Sequence, residues 1–367
     1  NDQLDGGKII EKGFYSTKKS FLMNQNFIYE KSIEIILKNL KLLHLNGSII
    51  TTPSKPYHGK ILKIPGNTFI IFKYLYFCIR ELFYRAKDLI LKIFGYKINA
   101  WSICYEKGNI VKSDLSNSSL FKSSNDEFWA DPFAIYFNNK NYIFFENYSY
   151  KKRKGKISCG IFNNGKIENI RDVLELDYHL SYPFIFEFKN NIYLMPETAE
   201  AKRLEIYRAI DFPLKWELYS TGFEGEKIVD PTLFFDKENN IWLFLNKSND
   251  PYNDYDSELY IYKIDDLKLN KIIPHKLNPV IIDSRLARNA GNIFLDENKL
   301  IRPSQRNIKS VYGHGLNISE IKKLTIDNYE EKLIKTFSPQ LEKGQVGIHH
   351  VTQLNDRFFY DICIKKI

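Results

Sequence analysis

The sequence predicts an all-β, five-bladed β-propeller with a mainly α-helical segment at its N-terminus. Five segments share one layout, in which a strand, a polar turn and a second apolar strand follow one another, and their starts recur about every 48–60 residues. That interval is the length of a four-stranded blade, and five such units close into a ring. A β-sandwich with coincidental spacing is the alternative, which the shared openings and matched turns disfavour. The five segments are 128–146, 179–197, 228–244, 287–303 and 347–360.

The turns within these segments have the composition of β-hairpin turns. Polar residues cluster between the two strands of each segment, as in Asn138-Asn139-Lys140-Asn141 and Lys189-Asn190-Asn191. Asn and Asp tolerate the left-handed backbone that tight hairpins need. We therefore expect each segment to form an antiparallel strand pair.

Three regions are predicted along the chain. Residues 1–50 end in a helix that stops at Asn46-Gly47, a C-terminal capping signal. Residues 51–100 contain a linker and one helix from Thr68 to Gly95, and residues 101–367 form the propeller. The chain starts without Met and in the middle of a motif, so we expect it to be a piece of a longer protein.

The basic charge is concentrated near the N-terminus. The formal net charge is +9, yet residues 1–100 hold 16 Lys+Arg against 7 Asp+Glu, whereas residues 101–367 hold 37 of each. A neutral propeller without a nucleic-acid-binding motif predicts no DNA or RNA partner. The four cysteines form no Cys-x-x-Cys pair, which is typical of a reducing compartment and predicts no zinc site.

The helix in residues 51–100 is basic and amphipathic. This region has 9 Lys+Arg against 2 Asp+Glu, and charges interrupt the apolar run too often for a membrane span, which needs about 20 mostly apolar residues. Two interpretations stay open. The helix docks on the propeller with its charges in solvent, or residues 64–97 lie on an anionic membrane surface.

The segment starts are where a propeller would gather polar side chains at one mouth of its channel. Carboxyl groups that lie close together can supply an acid and a base for glycosyl transfer, because each raises the pKa of its neighbour. We therefore predict Asp131, Glu197 and Asp230 as catalytic residues. Arg and His side chains can bind a phosphate or a sugar acid. The predicted substrate-binding residues are Tyr182, Arg285, Arg288, Arg302, Gln305, His349 and His350.

Other chemistries have no signature in the sequence. It contains no P-loop, no Gly-x-Gly-x-x-Gly, no Gly-x-Ser-x-Gly and no His-Glu-x-x-His motif. For the Asp-x-Asp pattern of metal-dependent nucleotide-sugar enzymes it offers only Asp254-Tyr255-Asp256, in a loop whose composition is typical of a solvated turn. We expect neither a metal nor a cofactor.

The chain resembles the N-terminal domain of glucosamine inositolphosphorylceramide transferases over about Trp101 to Ile367. The resemblance implies a five-bladed propeller related to glycoside hydrolase families 43 and 32, and a role in glycan assembly. The motifs that carry it, in order, are Trp129-Ala130-Asp131-Pro132-Phe133, His179-Leu180-Ser181-Tyr182-Pro183, Met195-Pro196-Glu197-Thr198, Asp230-Pro231-Thr232-Leu233, Ala287-Arg288-Asn289-Ala290-Gly291, Ile301-Arg302-Pro303-Ser304-Gln305, Tyr312-Gly313 and His349-His350.

The related hydrolases imply particular roles for three residues. Asp131 resembles their general base. Their acid is a Glu in the third blade, where this sequence has Asp230, and Tyr182 stands where their second blade has an Asp. Glu197 would then supply the acid from another strand.

Residues 4–10 resemble a stretch of the formyltransferases. The run Leu-Asp-Gly-Gly-Lys-Ile-Ile is similar to the Leu-Asp-Thr-Gly-Asp of that family, with Asp5 at the catalytic position. The Asn and His that complete the formyltransferase site lie upstream in the family and are absent from this chain. Residues 1–50 are therefore predicted to be the remnant of a formyltransferase-like domain, without formyl-transfer activity.

Together these features predict a carbohydrate-active enzyme that assembles a bacterial surface glycan, such as a capsule, an O-antigen or a glycolipid. Its partners would be a sugar nucleotide, a glycan or a lipid-linked sugar phosphate, in the cytoplasm or at the inner face of the membrane. Two alternatives stay open. One is an inverting glycoside hydrolase of the family 43/32 type, and the other is a non-catalytic glycan-binding or scaffold propeller that serves a partner glycosyltransferase.

Overall fold

Two N-terminal helices and five β-sheets make up the computed structural model. Helix α1 spans Phe21–Asn46 and helix α2 spans Asn67–Ile93. The first two strands are β1 (Ala100–Lys107) and β2 (Ser119–Leu120). The structure describes residues 8–18, 20–49, 51, 65–93, 100–124, 126–248, 250–308, 311–340 and 344–364.

Four blades are antiparallel sheets in which each strand pairs with the next along the chain. Blade 1 contains β3 (Glu127–Phe137), β4 (Lys140–Ser149), β5 (Lys154–Asn163) and β6 (Lys166–Leu174). Blade 2 contains β7 (Ser181–Phe188), β8 (Asn191–Glu197), β9 (Leu204–Asp211) and β10 (Lys215–Gly222). Blade 3 contains β11 (Ile228–Phe235), β12 (Ile241–Lys247), β13 (Glu258–Ile264) and β14 (Ile272–Pro274), and β15 (Ile281–Ile282) also pairs with β13. Blade 4 contains β16 (Phe294–Asp296), β17 (Lys299–Ile308), β18 (Val311–Leu324) and β19 (Tyr329–Phe337).

Blade 5 joins the two ends of the β region. Its C-terminal strands are β20 (Gln345–Gly347), β21 (Val351–Leu354) and β22 (Arg357–Ile364). Strand β1 pairs antiparallel with β22 from Ala100↔Ile364 to Lys107↔Arg357. Hydrogen bonds between distant parts of the chain therefore close the ring. The predicted five-bladed propeller is confirmed, and its first strand begins one residue before the predicted boundary at 101.

The predicted hairpin turns are confirmed in the backbone angles. Asn138 and Asn139 have φ of 47° and 59°, and Lys189 and Asn190 have φ of 48° and 61°. Two successive left-handed residues define the type I′ turn, whose twist matches that of the paired strands. The polar turns therefore set the register of the first two strands in blades 1 and 2.

Helix α1 ends at its predicted cap and packs on blade 3. Gly47 has a left-handed φ of 68° and its N–H donates to Leu43 O, which ends the helix after Asn46. On the face towards the propeller, Phe27 is fully buried and lies edge-on to the ring of Tyr252, which precedes β13. The N-terminal segment is thus packed on the propeller.

None of the side chains of helix α2 that the structure describes is buried. Fourteen of its large apolar side chains are 45–73% exposed, and they include consecutive residues that point to different sides of the helix. No helix among the described residues is long and apolar enough to cross a membrane. Docking of this helix on the propeller therefore receives no support from burial.

Tyr182 joins the blades at the channel axis. From blade 2, its hydroxyl lies 2.8 Å from Thr232 Oγ1 in blade 3 and accepts a hydrogen bond from the N–H of Gly291, which leads into blade 4, at 2.9 Å. Its ring packs edge-on against Phe133 of blade 1 and against His350, which leads into β21 of blade 5. One buried side chain therefore contacts all four other blades.

We expect Tyr182→Phe to destabilise the protein by about 1–3 kcal/mol, because it leaves the buried N–H of Gly291 without its partner. Urea unfolding of both proteins measures the difference. Tyr136→Phe is the matched control, since Tyr136 is 51% exposed and its hydroxyl donates only to Asn139 in a turn. Equal losses in the two variants would contradict the role of Tyr182 at the axis.

Candidate active site

A pocket of 190 Å³ opens at one mouth of the channel, and all five blades contribute to its walls. The volume lies below the about 300–1,000 Å³ that drug-sized ligands fill, so the pocket suits a group the size of one sugar ring. It contains all three predicted catalytic residues. The lining residues are Trp101, Phe128, Ala130, Asp131, Glu146, His179, Ser181, Glu197, Asp230, Arg288, Tyr312 and His349.

Blades 1, 2 and 3 use the same backbone feature to aim a side chain at the axis. Asp131, Tyr182 and Asp230 each precede a proline and have left-handed φ values of 46–50°. At each of these positions the first two strands of the blade shift their register, which is a β-bulge. Because a bulge re-aims its side chain, the repeated Xaa-Pro dipeptide of the sequence brings these three residues to the channel.

Asp131 is held by two residues of blade 5. Its backbone N–H donates to Asp361 Oδ2 at 3.0 Å, and its Oδ1 lies 3.5 Å from His349 Nε2. Asp361 Oδ1 lies 2.7 Å from His349 Nδ1, so the imidazole is fixed between two carboxyl groups. Burial raises the pKa of Asp131 to about 7, against the attraction of His349. Asp131 is therefore poised to exchange a proton near neutral pH.

Asp361 and His349 form a charged pair. Burial alone would raise the pKa of Asp361, but His349 and hydrogen bonds from several backbone N–H groups hold that pKa below its usual range. Burial would lower the pKa of His349, but the two neighbouring carboxyl groups raise it above its usual range. The imidazole of this pair faces Asp131, and its raised pKa favours the protonated form.

Two buried glutamates that line the pocket have raised pKa values. Burial, followed by the proximity of Asp131 and Glu197, raises the pKa of Glu146 well above its usual range. Burial and Asp230 raise the pKa of Glu197 in the same way, and Arg288 opposes them. The raised pKa values favour the protonated forms of both glutamates, and a protonated carboxyl group can act as a proton donor.

Arg288 is surrounded by carboxylates. Its Nε donates to Asp230 Oδ2 at 2.6 Å, its Nη1 donates to Asp256 Oδ1 at 3.0 Å, and its Nη2 lies 4.0 Å from Glu197 Oε2. The guanidinium also lies over the ring of Tyr312. Arg288 lines the pocket as predicted. Because neighbouring carboxylates neutralise its charge, we infer that it orients these carboxylates.

Two predicted anion contacts lie outside the pocket. Arg302 is 1% exposed, and its Nε and Nη2 donate to Glu331 at 2.8 and 3.0 Å. Arg285 forms a similar fork with Asp283, through Nε at 2.8 Å and Nη2 at 2.6 Å. These bidentate pairs occupy the guanidinium N–H groups that were predicted to bind a substrate anion. The prediction is therefore corrected, because both arginines form structural ion pairs.

Three further predicted contacts are absent from the pocket lining. Tyr182 fills the channel, and Gln305 Nε2 donates to Asp230 Oδ2 at 3.1 Å, which holds a pocket residue in place. His350 is completely buried, with the Phe133 ring centre 4.5 Å away, and burial lowers its pKa to about 3. His350 is thus a neutral core residue, and these three assignments are corrected to supporting roles.

Several residues that shape the pocket were not among the predicted site residues. Asp361 is the only charged residue between Phe358 and Ile364, and a lone carboxylate in a buried strand is a signal that could have identified it. Trp101 stacks on His349 at 3.8 Å, and Tyr312 lies edge-on to the same imidazole. Tyr312 belongs to the Tyr312-Gly313 motif of the family resemblance, whereas Trp101 carries no motif that separates it from core residues.

One group of side chains has the spacing of metal ligands. Single ligand atoms of Asp131, His349 and Asp361 lie within 4.8 Å of one another. They fit an ion poorly, because His349 Nδ1 is already occupied by Asp361, and both carboxylates accept backbone hydrogen bonds. We therefore assign no chemistry to a metal here.

The Asp254-Tyr255-Asp256 triplet is not the solvated turn that the sequence suggests. Asp254 is 5% exposed and lies 3.7 Å from Lys31 Nζ, whereas Asp256 accepts a hydrogen bond from Arg288. The two carboxylates are thus held by different cations and do not converge on a common point.

The fold and the pocket define a five-bladed propeller with an acidic site at one mouth. Residues 97–353 match the model of the family described as Glucosamine inositolphosphorylceramide transferase 1, N-terminal. The chain therefore belongs to this family, and the resemblance predicted from the motifs is confirmed. Residues 4–7 of the formyltransferase-like stretch lie outside both this match and the described residues, so that part stays a prediction.

Two plant proteins named Glucosamine inositolphosphorylceramide transferase 1 are similar to the chain. The protein of Oryza sativa subsp. indica is 30% identical over 233 residues, which are 61% of this chain and 31% of the relative. The protein of Arabidopsis thaliana is 32% identical over 248 residues, which are 66% of this chain and 31% of the relative. The chain thus spans about a third of the length of these relatives.

Among solved structures, glycoside hydrolases are similar to the chain. A thermostable family-43 glycoside hydrolase has 13% identity and a TM-score of 0.47, covering 65% of this chain and 88% of that chain. An α-L-arabinofuranosidase from Lactobacillus brevis has 12% identity and a TM-score of 0.46, covering 64% and 83%.

We expect the stability of Asp131→Asn relative to the parent protein to rise between about pH 4 and pH 7. The folded-state pKa of Asp131 is raised to about 7, whereas in the unfolded chain an Asp ionises near pH 4. The contribution of the protonated carboxyl is therefore present at low pH and is lost as the pH rises towards 7. The amide has no proton to lose. Urea unfolding across this range measures the difference.

Asp356→Asn is the control for this titration. Arg357 holds the pKa of the exposed Asp356 below its usual range, so any contribution of that carboxylate is lost as the pH falls, which is the opposite sign. Parallel pH dependence of the parent protein and Asp131→Asn would contradict the raised pKa of Asp131.

Proposed function

We propose that the propeller catalyses glycosyl transfer with Glu197 as acid and Asp131 as base. The observation that supports this is the gathering, in one sugar-sized pocket, of carboxyl groups with different proton affinities. Burial raises the pKa of Glu197 well above its usual range and the pKa of Asp131 to about 7, whereas the pKa of Asp361, behind His349, lies below its usual range. Pairs of carboxyl groups whose environments separate their pKa values are typical of acid–base catalysis.

In the proposed reaction, Glu197 gives its proton to the oxygen that leaves the anomeric carbon of the donor sugar. Asp131 takes the proton of the acceptor hydroxyl as that oxygen attacks the same carbon. One carbon–oxygen bond breaks and one forms, and the two carboxyl groups exchange their protonation states. The imidazolium of His349 would stabilise Asp131 while it is ionised, and Asp230 with Arg288 would orient Glu197.

The charges of the pocket favour a neutral sugar inside and a phosphate outside. Asp230 and Asp256 share Arg288, His349 lies between Asp131 and Asp361, and Arg285 and Arg302 are paired elsewhere. A phosphate in the pocket would face carboxylates without a free cation, which costs binding energy. We therefore place the sugar ring in the pocket and the phosphate of a nucleotide or lipid carrier at its rim.

The setting that we propose is the assembly of a bacterial surface glycan or glycolipid at the cytoplasmic face of the membrane. The names of the plant relatives describe transfer of glucosamine to a phosphate-bearing lipid, which supports a lipid-linked acceptor. Free thiols at Cys104, Cys159 and Cys363 fit a reducing compartment.

We expect Asp131→Asn and Glu197→Gln each to lower kcat by about 10²–10⁴-fold, the usual contribution of a positioned acid or base. Release of UDP from UDP-N-acetylglucosamine, with and without a lipid acceptor, measures it, and the sugar product separates transfer from hydrolysis. Glu217→Gln is the control, because Glu217 forms a half-exposed pair with Arg208 outside the pocket.

Three outcomes of this assay discriminate the alternatives. Activity that survives Asp131→Asn would contradict the assignment of the base. Release of free sugar in the presence of acceptor would favour a glycoside hydrolase, since water would replace the acceptor. Saccharide binding without turnover, unchanged when all three predicted carboxylates are replaced, would favour a glycan-binding module.

We also propose that helix α2 lies on an anionic membrane surface. Exposed aromatic and aliphatic side chains of the helix would enter the lipid interface, and the exposed Lys73, Arg80, Arg85 and Lys87 would face anionic headgroups. Charge complementarity is the argument for lipid over an apolar protein partner.

We expect replacement of Arg80, Arg85 and Lys87 by Gln to weaken binding to vesicles of anionic phospholipid by about 100-fold at low salt, since each basic residue contributes about 1 kcal/mol. Sedimentation with vesicles measures it. Replacing 151–153, an exposed basic hairpin tip, removes the same charge elsewhere and should have little effect. Vesicle binding that changes neither with salt concentration nor in the helix variant would contradict the proposal.

A further inference from the structure

A buried lysine attaches helix α1 to a loop of blade 3. Lys31 is 2% exposed, and its Nζ lies 2.8 Å from Asp250 Oδ2, 3.0 Å from Glu258 Oε1 and 3.7 Å from Asp254 Oδ2. A buried ammonium is stable only when it is paired in this way, and its removal leaves the carboxylates uncompensated. The cluster therefore fixes the 250–258 segment, which joins β12 to β13, to helix α1.

The same segment also reaches the pocket. Asp256 Oδ1 accepts a hydrogen bond from Arg288 Nη1 at 3.0 Å, on the guanidinium whose Nε donates to Asp230. Asp254 and Asp256 are two residues apart, and one points to Lys31 while the other points to Arg288. A displacement of this short segment on the side of α1 would thus be transmitted to the pocket.

We propose that helix α1 positions Arg288 through the 250–258 segment, with Lys31 as the positioning residue. Asp256 restrains the guanidinium on the side away from Glu197, whose Oε2 lies 4.0 Å from Nη2. Without that restraint Arg288 would approach Glu197, and a closer cation favours the ionised carboxylate. The helix thereby keeps the proposed acid protonated. The biological meaning rests on the proposed function, whereas the structural coupling does not.

The experiment observes Arg288 directly in the full chain labelled with ¹⁵N-arginine. The Nε–H signal of Arg288, assigned by its loss in Arg288→Lys, reports the hydrogen bond to Asp230. We expect Lys31→Met to shift this signal and to speed exchange of its proton with water by about tenfold or more, as local opening becomes easier. Lys31→Arg should restore the parent signal, because it keeps the buried charge.

Two further variants separate the proposal from general destabilisation. Lys38→Met removes another ion pair of α1, with Glu11, which does not involve the 250–258 segment, and should leave the Arg288 signal unchanged. Asp250→Asn frees the segment while Glu258 still holds Lys31, so it tests the coupling even when Lys31→Met does not fold. An unchanged Arg288 signal in Asp250→Asn, or an equal shift in Lys38→Met, would overturn the proposal. The signal is readable whether or not any sugar is turned over.

Discussion

The pocket depends on Tyr182, because this side chain closes the channel beneath it. Its hydroxyl satisfies the N–H of Gly291, and its own N–H donates to Asp131 Oδ2 at 3.2 Å. An added methyl group at Gly291 would lie 1.8 Å from Val351 O, so the blades meet too closely here for any other residue. Because the channel is closed, water reaches the carboxyl groups from one side only. Their burial, the largest cause of the raised pKa values, is therefore a consequence of how the blades meet.

Hydrogen bonding then gives different pKa values to carboxyl groups that are both buried. Asp361 and Asp131 are both buried, yet Asp361 accepts hydrogen bonds from the backbone N–H groups of Asp131, His349 and His350 and from the imidazole, and it stays ionised. Asp131 has one backbone donor, from Tyr182, and a more distant imidazole, so burial prevails and its pKa rises. The two aspartates therefore differ in pKa because they accept different numbers of hydrogen bonds, and not because one is more buried than the other.

The sequence was informative wherever the fold repeats itself. The Xaa-Pro openings at Asp131, Tyr182 and Asp230 could be recognised because the same bulge recurs in three blades. The arginines could not be judged in this way, since their partners lie at unpredictable separations, as Glu331 does from Arg302. Asp361 was missed because it supports Asp131 and His349 from the last strand, where no repeat pointed to it. Sequence patterns therefore predicted the backbone of the site, whereas the pairing of charges needed the three-dimensional contacts.

The packed structure extends on the N-terminal side beyond the residues that match the family. The family match begins at residue 97, yet Phe27 and Lys31 of α1 are buried against blade 3. Without α1, three acidic groups of the 250–258 segment would lose the cation between them, and burial already raises the pKa of one of them, Asp254, despite Lys31. Like charges at such short range repel strongly in a medium of low dielectric constant, so the segment would open towards solvent. The N-terminal helix is thus a structural part of this propeller, because it neutralises a loop that the propeller alone leaves with an excess of negative charge.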